Sequence, residues 1–190
     1  MTDSSGRSTY VALVSLVVAL GGFLMGFDSG VIGGVVEPVR EHFDLSSGQL
    51  GWAVSCLTLA AALAMAIAGP LADRFGRKTV LMGTALLFTV SAVGSALAPS
   101  YTTLVIARIV GGFGVGAALI IAPMYIAEIA PPDKRGRLVS FNQLNIVLGF
   151  SASFFSNYFI YQGAEANVSG EGWLTPENTW RAMLGVETVP

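Results

Sequence analysis

Five long stretches nearly free of charge constrain this chain more than anything else in it. Leu45–Ala72, Thr79–Ala107, Ile109–Ala127 and Leu138–Ala164 carry no charged side chain, and Ser8–Val36 is interrupted only by Asp28. Each reaches or exceeds the roughly 18 apolar residues that mark a transmembrane helix. Charged residues make up 12% of the 190 positions and hydrophobic ones 53%, against about 25% charged in a soluble domain. The expected fold is therefore an all-α membrane protein. Its spans lie at about 10–36, 48–70, 79–99, 102–128 and 138–161, and a sixth starts at about 180. A cleavable signal peptide fits the first run poorly, because it is too long and no charged cluster precedes it.

Asp28 follows 20 uncharged residues and precedes eight more. A carboxylate at that depth is costly, by about 2.5–3.5 kcal/mol on insertion scales, unless it faces protein or a water-filled cavity. Gly22, Gly26, Gly30 and Gly34 recur every four residues and form a smooth strip where a neighbouring backbone can approach. At about 100° per residue, Asp28 points away from that strip. The only other charge of comparable depth is Arg108, near the start of the fourth span. Arginine keeps its charge and needs an acceptor or water. Asp28 is the natural partner; a ligand anion, or snorkelling to the outer surface, is the competing explanation.

The basic residues set the orientation. Arg7 precedes span one, Arg74, Arg77 and Lys78 join spans two and three, and Lys134, Arg135 and Arg137 follow span four. The opposite side has Arg40 and Arg181 among Glu37, Glu41, Asp44, Glu165, Glu171 and Glu177. By the positive-inside rule the N-terminus is cytoplasmic. Cys56, the single cysteine, excludes an internal disulfide and reads as an apolar filler. His42, the single histidine, reads as a solvated surface residue in an outer loop at Glu37–Gln49. The Ser46-Ser47 pair offers a cap for span two. No nucleophile and base set, metal cluster or phosphate loop is present, so an enzyme is not expected.

The short basic link Gly69-Pro-Leu-Ala-Asp73-Arg74-Phe-Gly76-Arg77-Lys78 is more specific than an orientation signal, with Gly76 permitting a tight turn. Span four ends in Glu128 on the same side, where Arg74, Arg77 and Arg135 are available, with Gly136 next in sequence. Such a network can bias a two-state equilibrium by holding helix ends together. Span five carries Asn142, Gln143, Asn145, Ser151, Ser153, Ser156 and Asn157, with Gln143, Phe150 and Asn157 every seven residues. Amides and an aromatic on one wall suit a polyhydroxyl ligand, while interhelical hydrogen bonding is the other reading of each Asn. The outer stretch Gln162–Thr179 reads as a loop; it holds a short sequon match at Asn167-Val-Ser169, read as accidental. Trp180 suits a membrane interface, and Glu187 would lie about two turns into the sixth span, or at a solvated end.

Together the loop at Gly69–Lys78, the series Pro123-x-Tyr125-x-x-Glu128-x-x-Pro131-x-x-x-Arg135-Gly136, Arg108-x-x-Gly-Gly and Gly26-Phe-Asp28 resemble the sugar porter branch of the major facilitator superfamily. The resemblance implies the N-terminal half of a twelve-helix transporter: five complete transmembrane helices plus the start of a sixth, with the C-terminal half absent. It implies a multi-pass protein of the plasma (inner) membrane that imports a sugar or polyol by proton symport. Asp28 would be the protonation site, Arg108 its modulator and Glu187 a competitor for Arg108. An arginine that approaches or withdraws changes how readily an acid takes up a proton. Gln143 would bind sugar. Phe150 stands where some members have a second glutamine, which points to an altered or more apolar pocket; Asn145 and Met25 complete the candidate substrate contacts. Gly69, Asp73, Arg74, Gly76, Arg77, Lys78, Glu128, Arg135 and Gly136 would form the cytoplasmic conformational network. The expected partners are substrate, proton, bilayer and second half, without metal, cofactor or nucleic acid. A proton-independent uniporter, a sugar sensor and an inactive fragment are the alternatives.

Overall fold

The computed structural model describes residues 4–166, 175 and 178–186, with side chains from Leu20 onward. Its helices are α1 (Ser4–Phe43), α2 (Ser47–Phe75), α3 (Arg77–Ala96), α4 (Tyr101–Ile129), α5 (Arg135–Ala166) and a short α6 (Thr179–Val186). The first five are long and apolar enough to cross a membrane. Large side chains such as Leu63, Leu86 and Phe159 stand exposed on α2, α3 and α5. Lipid, as apolar as these side chains, is the solvent that such a surface fits.

Glycines decide which helices pair. A Cβ added to Gly26 would overlap the Ile146 carbonyl, one at Gly30 the Ser153 hydroxyl, and one at Gly34 would lie 2.5 Å from the Asn157 amide nitrogen. The strip of α1 thus lies flush against α5. On α4, Gly112 and Gly116 face the backbone of α2 at Leu57 and Ala61, whereas Gly111 and Gly114 face α3 at Ser91 and Thr84. Two glycine faces let α4 sit close to two neighbours at once. Its third side meets α1 and α5, which makes α4 the centre of the bundle.

The helix ends are fixed by local chemistry. Ser46 and Gln49 form a capping box at α2, and Ser100 caps α4 through the Thr103 N–H. Gly76 alone separates α2 from α3, at φ +85°, a conformation that glycine adopts without strain. The Tyr101 hydroxyl donates to the Gln49 carbonyl at 2.9 Å, joining the starts of α4 and α2. Arg77 joins the opposite, basic ends of α3 and α4.

Three features differ from the expectations. The stretch Glu37–Phe43 is the last part of α1 rather than a loop, despite Pro38 inside the helix. An apolar stripe hidden among its charges explains this: Val31, Val35 and Val39 are buried and Phe43 continues the row, all packed with Trp180 and Met183 of α6. Glu37 and Arg40 pair on the exposed side at 3.5 Å. Trp180 is fully buried rather than interfacial, against Phe43 at 5.5 Å and His42 at 5.2 Å. Its neighbour Arg181 explains the inward turn, donating to the carbonyls of Ala98 at 3.0 Å and Ala96 at 3.4 Å. The Ala96 carbonyl ends α3 and the Ala98 carbonyl lies just beyond it, where the helix supplies no donor. Finally, α5 includes Gln162–Ala166, the first residues of the expected outer loop; the sequon at 167–169 lies outside the described residues.

Candidate functional site

Asp28 and Arg108 meet. The Arg108 Nη1 donates to Asp28 Oδ1 at 2.8 Å, with side-chain exposures of 5% and 4%. The local reason is the glycine strip: seating it on α5 turns the next face of α1 towards α4. Arg108 is about two turns into α4, where Leu104 and Val105 around it are buried too. It borders a cavity of about 20 Å³ with Val35, Val39, Leu50 and Leu184, room for about one water. Asp28 Oδ2 is buried and has no hydrogen-bond partner among the described residues. An ion pair this deep is strongly destabilised by loss of one partner, by about 3–5 kcal/mol.

The polar residues of α5 separate into two sets. Asn142, Ser153 and Asn157 are buried on the α1 side. Asn157 donates to the Val31 carbonyl at 3.1 Å and Ser153 to the Phe150 carbonyl at 2.6 Å. For Asn157 the interhelical role holds. Gln143 and Phe150 stay exposed, the latter edge-on to Phe154 at 5.0 Å between centroids. Asn145 is half-buried, its amide donating to the Phe141 carbonyl at 2.9 Å. Met25 is buried one turn before Asp28. The backbone of Phe150 lies against Gly26, so the α5 wall adjoins the part of α1 that bears the acid.

At the basic end, Arg77 alone of the available arginines reaches Glu128, Nε to Oε1 at 3.1 Å, while its Nη1 donates to Asp73. This one side chain ties the end of α2, the start of α3 and the end of α4. The Arg74 guanidinium lies over the Phe75 ring at 5.4 Å, and Lys78, Arg135 and Gly136 are exposed. Gly69 and Gly136 have open space where a side chain would point. Glu187 lies outside the described residues. Sequence reasoning missed Arg181 as the residue that docks α6 on α3. A signal existed: α3 ends with neither a glycine nor a basic residue to satisfy its carbonyls.

The family described as "Sugar (and other) transporter" matches residues 14–190. A glucose transport protein of Synechocystis is 43% identical over 189 residues, spanning 100% of this chain and 40% of the relative. A D-xylose transporter of Levilactobacillus brevis is 41% identical, over 97% of this chain and 37% of its own. The solved structure of the major facilitator superfamily proton:xylose symporter XylE from E. coli, bound to 6-bromo-6-deoxy-D-glucose, aligns at a TM-score of 0.83. It is 36% identical, over 97% of this chain and 43% of that one. The chain thus spans about two-fifths of the length of the relatives it matches. They are transporters rather than enzymes, and the chain covers the N-terminal half of their fold. With its five membrane-length helices and paired glycine faces, the chain belongs to the sugar transporter family of the major facilitator superfamily.

Proposed function

We propose that this sequence forms the N-terminal half of an importer that couples a sugar or related polyol to a proton by alternating access. The carrying observation is the buried Asp28–Arg108 pair with one carboxylate oxygen unbonded. In this reading Asp28 Oδ2 takes the proton, which weakens the hold of α1 on Arg108 of α4. The arginine is then available to Glu187. Gln143 supplies hydrogen bonds to hydroxyls, Phe150 an apolar face, and Asn145 and Met25 complete the substrate wall. Relatives named for glucose and D-xylose, and a proton:xylose symporter of similar fold, support a sugar substrate and proton coupling.

The basic end is cytoplasmic in this proposal, in the plasma (inner) membrane, with a second half completing the cavity. There the Arg77 bridge, with Asp73, Arg74, Lys78 and Arg135 around it, holds one conformational state. Gly69, Gly76 and Gly136 keep that end low enough for a facing backbone.

The test is sugar uptake by the full-length transporter in proteoliposomes. Asp28→Asn is expected to abolish accumulation driven by a proton gradient while leaving sugar exchange intact. Uptake that ignores both pH and this substitution would replace symport by a proton-independent uniporter.

A further inference from the structure

Besides the small cavity at Arg108, the bundle has a groove of about 340 Å³ between α2 and α3, floored by Phe113 and Ala117 of α4. Its α2 wall runs from Ala64 to Phe75 and its α3 wall includes Gly83 and Leu87. Eleven helical steps at 1.5 Å make it about 16 Å long, close to half of the roughly 30 Å hydrocarbon core, one leaflet. The walls are apolar, and Leu71 and Phe75 are exposed along it. The groove ends at the basic turn. There the Arg74 guanidinium rests on Phe75, a wall residue, and Lys78 is exposed beside Thr79, another. The acids of this corner are engaged: Asp73 and Glu128 are both held by Arg77. Neither Arg74 nor Lys78 forms an ion pair among the described residues.

We propose that this groove is a binding site for one anionic membrane phospholipid, its acyl chain between α2 and α3 and its phosphodiester on Arg74 and Lys78. A one-leaflet apolar slot ending at two uncommitted cations matches that molecule in length and charge, and basic pockets between helices hold anionic headgroups elsewhere. The site is separate from the Asp28–Arg108 pair and does not rest on proton coupling.

The experiment offers the purified full-length transporter equal amounts of phosphatidylglycerol and phosphatidylcholine in mixed micelles and reads the retained lipid by native mass spectrometry. Phosphatidylglycerol is expected to be preferred by about fivefold for each cation. The double variant Arg74→Gln, Lys78→Gln is expected to remove the preference. Gly83→Phe is expected to lower phosphatidylglycerol retention with every charge in place, since nothing lies within 4 Å of a Cβ there. On the unmodified transporter, free glycerophosphoglycerol is expected not to displace the lipid. Equal retention of the two lipids, as when a further helix covers the groove, would overturn the proposal. So would full retention in a folded Gly83→Phe protein, or displacement by the headgroup alone.

Discussion

Arg108 can be removed in two ways, and the difference between them isolates the pair. Arg108→Met leaves the Asp28 carboxylate buried and uncompensated, at a cost of about 3–5 kcal/mol. The double change Asp28→Asn, Arg108→Gln removes both charges and should regain most of that loss. Thermal unfolding in detergent checks it: a double variant no more stable than Arg108→Met would mean that the pair is not what holds α1 to α4. The partnership itself was legible, because a chain with two deep charges of opposite sign has few other ways to satisfy them. The unbonded Asp28 Oδ2 was not, since hydrogen bonding of a single oxygen depends on the angle at which α1 crosses α4. Nor could the sequence separate Gln143 from Asn142, adjacent positions on α5: the α1 strip buries Asn142 and leaves Gln143 exposed.

Among elements, α1 carries the clearest contrast. A side chain at Gly26 must lie 2.7 Å from the Ile146 carbonyl carbon, whereas one at Gly33 meets only Phe154, at 3.9 Å. Gly26→Ala is therefore expected to lower stability by about 1–3 kcal/mol, as overpacking does. Gly33→Ala should leave stability unchanged or raise it, because alanine is the better helix former. Unfolding temperatures of the two variants, side by side, check this; equal losses would remove the strip as the α1–α5 contact. Four-residue glycine spacing survives any register of packing, so the strip could be read in advance. The last two turns of α1 could not. Their apolar stripe of Val35, Val39 and Phe43 has meaning only once Trp180, well over a hundred residues later, arrives to cover it. Until then Pro38 and four charges from Glu37 to Asp44 look like a loop.

For the whole molecule, the proposed transport calls for more chain than these helices supply. Since the sequence covers about two-fifths of its relatives, the 190 residues alone are expected to give no saturable sugar flux in proteoliposomes. Saturable flux from them would contradict the two-halves proposal. The order of the helices was legible from the uncharged runs, whereas the pairing of α4 with both α2 and α3 needed the two glycine faces in three dimensions. The turn at Gly76 has a mechanical consequence. With one residue between Phe75 and Arg77, α2 and α3 share a joint without slack, and Arg77 clamps that joint to the far end of α4. Torque applied to α2 at the basic end is passed to α3 and α4 instead of being lost in a floppy link. In the proposed transport cycle the three helices would turn there together, with the Arg77–Glu128 pair as their link at the basic end.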